Sequence, residues 1–218
     1  MKALLARILC SVARRMWQNE PTLGEYTSET AEHELNLAFH FAAELRGWFP
    51  WLDCDFDVTK RNFNRNRPDI ILHSRNTAYN FLVVEVKREK SRHAVPADLR
   101  RIRENWFEGN LQYRFGAAII LDEDKQGFEA QVLSRIHKDQ GPQVLKGLNM
   151  GTPLQPQNFS PFGRKTLCKA IDRIAGAKKR DRNQETSTLE REIDQLVYAL
   201  YGLTAGEIAL VESSTNGA

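Results

Sequence analysis

The stretch that decides the reading of this chain is Arg67-Pro68-Asp69-Ile70-Ile71-Leu72-His73, answered seven residues later by Phe81-Leu82-Val83-Val84-Glu85-Val86-Lys87. Both runs are apolar and β-branched, and the polar Ser74–Asn80 between them reads as a hairpin connection. The second run has the character of a buried central strand that carries ionisable groups only at its end. Side chains alternate across a sheet, so Glu85 and Lys87 share one face while Val84 and Val86 take the other. Asp69 opens the neighbouring strand, and antiparallel pairing brings it close to Glu85. Two carboxylates so placed repel each other, and each is costly to bury unless a cation neutralises it.

Upstream, Met1–Trp17 alternates arginines with aliphatics. Leu4, Leu5, Ile8, Leu9 and Val12 recur at helical spacing, which predicts an amphipathic helix whose stripe serves packing. The segment lacks the uninterrupted apolar core and small-residue cleavage site of a secretory signal. After Pro21 and Gly24, Ser28 or Thr30 is placed to cap a second helix reaching Arg46, with Leu35, Ala38, Phe39, Ala42 and Leu45 as its apolar face and Gly47 and Pro50 ending it. Asp53–Val58 reads as a weak strand and Thr59–Arg67 as a polar, basic loop.

Downstream, Pro96 suits the first turn of a helix running to about Phe107, with Leu99, Ile102 and Trp106 buried and Gly109 closing it. Arg114–Leu121 is a further apolar strand. Strand, helix and strand in this order predict a right-handed crossover that makes the two strands parallel. Residues 125–163, with Pro142, Pro153, Pro156 and Pro161, read as long loops around a short helix at Gln131–Lys138. A basic helix follows from Arg164 to Lys179. Leu189–Glu212 reads as two short helices joined at Tyr201-Gly202-Leu203-Thr204, with Gly202 as stop and Thr204 as the next N-cap.

With 218 residues, 41% of them hydrophobic, and 11 phenylalanines, the chain can fill one sizeable core. Its mean hydropathy of −0.51 excludes a membrane class, and no run approaches the roughly 20 apolar residues needed to span a bilayer. Cys10, Cys54 and Cys168 form no C-x-x-C pair, which argues against a disulfide framework or structural zinc and suits a reducing cytoplasm. The overall charge of +3 is mild, but its distribution is not. Lys60–Arg103 carries 12 Lys/Arg against four acids, a net +8, and Arg164–Arg182 eight against two, a net +6. Glu185–Glu212 has one arginine against six acids, a net −5. Two basic segments and an acidic tail suit a protein that meets phosphates with one surface.

Two hard oxygen ligands suit Mg²⁺, which often takes one or two carboxylates together with waters and substrate phosphates. An ion held by Asp69, Glu85 and the carbonyl of Val86 would polarise a phosphodiester and lower the pKa of a bound water. Lys87 would position the attacking hydroxide or offset charge in the transition state. The same residues also admit a plainer reading, with Glu85 and Lys87 as an ion pair at a strand end and Asp69 as a turn residue.

The order Arg67-Pro68-Asp69-Ile70-Ile71-Leu72, a hairpin, then Val84-Glu85-Val86-Lys87 resembles the signature of the PD-(D/E)XK, or restriction-endonuclease-like, nuclease superfamily. The resemblance spans roughly residues 29–122. It implies an α/β fold with an αβββαβ core, a mixed central sheet flanked by helices, within a nuclease-like domain over 28–183. The N-terminal helix and linker would occupy 1–27, and a C-terminal helical hairpin and tail 184–218. It further implies a Mg²⁺-dependent hydrolase of DNA phosphodiesters, with Mn²⁺ as a substitute, Asp69 and Glu85 as metal ligands and Lys87 as the catalytic lysine. The superfamily often adds a glutamate from the first helix. Glu32 shares a face with Leu35 and Phe39, and Glu34 one with Ala38, Phe41 and Leu45; Glu32 is favoured and Glu34 is the alternative. Arg61, Arg65, Arg67 and Gln112 are candidate nucleic-acid contacts. His73 could touch phosphate or simply sit at the surface.

Glu192-Ile193-Asp194-Gln195-Leu196-Val197-Tyr198-Ala199-Leu200-Tyr201-Gly202-Leu203-Thr204 is similar to the C-terminal segment of combined restriction–modification enzymes. That resemblance implies a restriction or defence setting and association, as a homodimer or with a modification-enzyme subunit, through residues 189–212. The alternative there is an αα-hairpin packed by Leu196, Leu200 and Leu203 on the body of the protein. For the whole chain, the alternative to a nuclease is a non-catalytic nucleic-acid- or partner-binding module on a nuclease fold.

Overall fold

A computed structural model describes residues 1–29, 33–57, 67–108, 111–137, 140–147, 154–155, 161–181 and 185–213. The elements are α1 (Lys2–Asn19), α2 (Leu23–Glu29), α3 (His33–Arg46), β1 (Asp53–Phe56), β2 (Ile70–His73), β3 (Asn80–Arg88), α4 (Val95–Arg101), β4 (Phe115–Asp122), β5 (Gly127–Ser134), β6 (Gln143–Lys146), α5 (Pro161–Arg180), α6 (Ser187–Leu200) and α7 (Ala205–Ser213). A 3₁₀ segment, Glu89–Ala94, leads into α4, and a π-helical one, Ile102–Phe107, prolongs it.

The six strands form one sheet in chain order. Every neighbouring pair is antiparallel except β3–β4, the pair joined across α4, so the sheet is mixed and the expected parallel crossover is present. Strand alternation sends residues to two cores. Ile70, Leu72, Val84, Val86, Ala117, Ile119, Ala130 and Val132 join α1, α3, α5 and α6 on one face. Ile71, Val83, Ala118, Ile120 and Leu133 meet Val95, Leu99, Ile102 and Trp106 on the other.

The predicted stripe of α1 is fully buried: Leu4, Leu5, Ile8, Leu9 and Val12 all have no solvent exposure, and the helix packs on β5, β6 and α3. In α3 the expected face is wrong by part of a turn. Leu37, Ala38, Phe41, Ala42 and Leu45 are buried, whereas Leu35 and Phe39 are exposed, because the helix turns its Leu37–Phe41 side to the core below β1. Ser28 lies inside α2 rather than capping a longer helix, and Thr30 and Gly109 fall outside the described residues.

The short helix expected at Gln131–Lys138 is instead strand β5. Glu129 and Gln131 favour helix by propensity and hide the period-2 pattern of Ala130 and Val132. Pairing with β4 and β6, and the ion pairs of Glu129 with Arg92 and Lys146, override that preference.

The C-terminal hairpin has the expected joint. Gly202 adopts φ 62°, and Thr204 and Glu207 form a capping box in which the Glu207 N–H donates to Thr204 Oγ1 and the Thr204 N–H to the Glu207 carboxylate. The hairpin lies on the body. Ile193, Val197, Tyr198 and Tyr201 enter the main core, and the Tyr201 hydroxyl donates to the Trp48 carbonyl at 3.0 Å. A buried ion network fixes it, with Arg114 bound to Asp194 at 2.6 Å and to Glu190 at 3.1 Å. No helix among the described residues is long and apolar enough to cross a membrane, and the three cysteines are free.

Candidate active site

Register decides which side chains meet. Ile70 pairs with Val84 and Ile71 with Val83, so one further step sets Asp69 opposite Glu85. Directly opposed residues share a face, here the one carrying Ile71 and Val83, and Lys87 follows Glu85 on it. β4 supplies the floor in parallel register, with Ala118 beside Glu85 and Ile120 beside Lys87. α4 covers that face.

The backbone around Asp69 is pinned on both sides. Its carbonyl accepts the Asp57 N–H at 2.8 Å, and its Oδ2 accepts the Val86 N–H at 2.6 Å. In a strand the N–H and C=O of one residue point to the same side, so the Val86 carbonyl is also turned toward Asp69. Glu85 makes no hydrogen bond or ion pair among the described residues. Lys87 is bound by the Glu34 carboxylate, and its Nζ lies 3.9 Å from Asp98 Oδ2, while Arg101 holds the other oxygen of Asp98.

These neighbours set the charge states. Burial, resisted by the Val86 N–H and by Lys87 and reinforced by Glu34 and Asp98, pushes Asp69 up to about 6. Burial, then repulsion from Asp69 and Asp98, pushes Glu85 up to about 8. Burial alone would lower Lys87, but the hydrogen bond and charge of Glu34, with Asp69 and Asp98, carry it above its ordinary value. Asp98 is raised chiefly by burial. The cluster thus holds more negative groups than its two cations offset.

A hard divalent cation fits this chemistry. Two half-buried carboxyls face each other, one of them with no hydrogen-bond partner among the described residues, and a backbone carbonyl is turned toward them. Among the described residues, no three His, Cys, Asp or Glu side chains gather tightly enough to enclose an ion alone. Mg²⁺ does not need such a cage, because waters and substrate phosphates complete its shell.

No family model, curated protein or solved structure matches the chain. The reading of the site therefore stands on its residues and their geometry.

Of the sequence candidates, Asp69, Glu85, Val86 and Lys87 are brought together at the end of the β2–β3 pair. Glu34, the alternative helix acid, reaches the lysine; Glu32 lies outside the described residues, as do Arg61 and Arg65. Arg67 is exposed and ion-paired with Asp57. Gln112 is not at the site. It precedes Phe115, which pairs with Leu82, and Lys87 lies five strand steps beyond Leu82, or about 16 Å at strand spacing. His73 is neither a surface residue nor a free phosphate contact, being 8% exposed and bound to Asp55 at 2.8 Å. Asp98 was missed. The available signal was an acid on the apolar stripe of Val95, Leu99 and Ile102, three residues after one and four before another.

Proposed function

We propose that this chain is a Mg²⁺-dependent nuclease of restriction-endonuclease-like fold that hydrolyses DNA phosphodiester bonds. One observation carries the reading: Asp69 and Glu85 stand opposite each other on a buried sheet face, with Lys87 next along it. The order α3, β1, β2, β3, α4, β4 agrees with the αβββαβ arrangement that the motif implies.

Asp69, Glu85 and the Val86 carbonyl would hold Mg²⁺, which when bound supplies Lewis-acid polarisation and an acidified water. Lys87, kept cationic by its acid partners, stabilises charge gathering on the phosphate oxygens. The apolar floor of Ala118 and Ile120 keeps bulk water away from that side and strengthens each of these interactions.

A non-catalytic binding module is favoured by no observation here. Without a divalent ion, the described part of the cluster sets Glu34, Asp69, Glu85 and Asp98 against only Lys87 and Arg101, which repels phosphate. A place in a restriction or defence system, and pairing with a second copy or a modification-enzyme subunit through residues 189–212, belong to the same proposal. Sedimentation of the full chain at increasing concentration reads the homodimer.

The test is incubation with plasmid and single-stranded DNA in Mg²⁺ or Mn²⁺. Metal-dependent cleavage that disappears in Asp69→Ala and Lys87→Ala supports the assignment. Cleavage that survives both substitutions, or none on any substrate, removes it.

A further inference from the structure

Asp98 occupies a place that sequence patterning reserves for an apolar residue. It is 1% exposed, between Val95 and Ile102 on the buried stripe of α4. Placing a carboxylate there is costly unless it is paired. Arg101 engages one oxygen, yet Oδ2 accepts no hydrogen bond and faces Lys87 Nζ at 3.9 Å. That gap is too long for a hydrogen bond and short enough for a strong Coulomb attraction away from water. The other partner of Lys87 differs in kind. Glu34 lies in the first turn of α3 with its side chain 36% exposed, against 2% for Asp98, so solvent can take its place on displacement.

We propose that Asp98 is a positioning residue: pinned by Arg101, its Oδ2 is the resident counter-charge that holds the Lys87 ammonium over Asp69 and Glu85, while Glu34 is the partner that a substrate phosphate displaces. The catalytic part of this inference rests on the phosphodiesterase reading, whereas the Asp98–Lys87 contact does not. The asymmetry in burial carries the division of roles. An incoming phosphate competes for Lys87 with the exposed carboxylate, and the exposed one can leave. The buried one has no water to receive it and is tied to Arg101, so Lys87 keeps a fixed anchor on the α4 side through turnover. Among the described residues Asp98 pairs with Lys87 and Arg101 and not with the candidate metal ligands, so it acts through Lys87.

The test compares Asp98→Asn and Glu34→Gln in the full chain by steady-state cleavage, Mn²⁺ titration calorimetry and the rate of Lys87 acylation read by mass spectrometry. Asp98→Asn is expected to lower kcat by about 10- to 100-fold, as a misplaced group does, with KM changed less than about threefold. Mn²⁺ affinity is retained and Lys87 acylates faster. Glu34→Gln lowers KM, because phosphate no longer competes with a carboxylate. Unchanged kcat and acylation in Asp98→Asn overturn the proposal; so does a tenfold loss of Mn²⁺ affinity, which would make Asp98 a ligand. If Asp98→Asn fails to fold, Arg101→Gln serves, since Arg101 is 57% exposed and its loss unpins the same carboxylate. If the unaltered chain cleaves nothing, the nuclease reading fails by itself, and acylation alone decides whether Asp98 anchors Lys87.

Discussion

Replacing Glu85 by glutamine is expected to stabilise the metal-free protein, and to do so only at high pH. The Glu85 carboxyl is carried from 4.5 to about 8, first by burial and then by Asp69 and Asp98. A carboxyl whose folded pKa lies above its unfolded one favours the fold fully below the unfolded value and loses that contribution as pH rises through the folded value. The unaltered chain therefore loses stability between about pH 5 and pH 9 through this group, and Glu85→Gln does not. At about 1.4 kcal/mol per tenfold change in proton affinity, the full difference is bounded at about 5 kcal/mol. Partial access to water, and repulsion shared with Asp69, bring the expected gain at pH 9 to about 2 kcal/mol.

Urea unfolding in EDTA, followed by the fluorescence of the four buried tryptophans, measures it across that range. Mg²⁺ at 100 times its Kd restores about 2.7 kcal/mol to the unaltered chain and little to Glu85→Gln, since one ligand is gone. If Glu85→Gln instead loses the same stability at every pH, and Mg²⁺ stabilises both proteins equally, then Glu85 is an ordinary structural residue and the cation argument is wrong.

Lys87→Met is expected to cut the cleavage rate by about 100- to 1,000-fold while Mn²⁺ binding persists, read by steady-state kinetics beside calorimetry. Arg114→Met leaves Asp194 without its guanidinium partner and the buried Glu190 with only Arg135, at 3.7 Å, as ion-pair partner among the described residues, and costs about 3–5 kcal/mol, measured by thermal unfolding. In Gly116→Ala the new Cβ would collide with Ile102 Cγ2, and because that side chain is buried against β4 the overpacking costs about 1–3 kcal/mol in urea.

The part of the fold nearest the site was the most legible. Two β-branched runs with their charges at one end set strand identity, pairing and face together, because a slip of one residue would bury Glu85 and Lys87 on the wrong side. The Pro96 helix and the run after it gave the parallel neighbour for similar reasons. Legibility failed where a residue's partner lies far away in the chain. Glu129 and Gln131 look helical until Arg92 and Lys146 are set beside them. Two apolar faces of similar strength left Glu32 only slightly favoured over Glu34; the structure turns Leu37 and Phe41 to the core and brings Glu34 to Lys87, while Glu32 lies outside the described residues. Asp98 was invisible as a site residue because its value depends on Lys87, which reaches it across the crossover.

The electrostatics of the candidate site also constrain the order of events in the proposed reaction. Glu34, Asp69, Glu85 and Asp98 outnumber Lys87 and Arg101, and burial magnifies each unbalanced charge. A phosphodiester would bring a further negative charge to that end of the sheet, so its approach would be opposed while Asp69 and Glu85 are ionised with no cation between them. Protonating Glu85 relieves the repulsion but removes a ligand. Asp69 and Glu85 would instead share a divalent cation without losing a ligand, and with their charge offset Lys87 could turn from Glu34 to phosphate. If the proposed nuclease reading holds, the excess of carboxyls at this end of the sheet would make cation binding the step that admits the substrate, and would place the cation ahead of the nucleic acid.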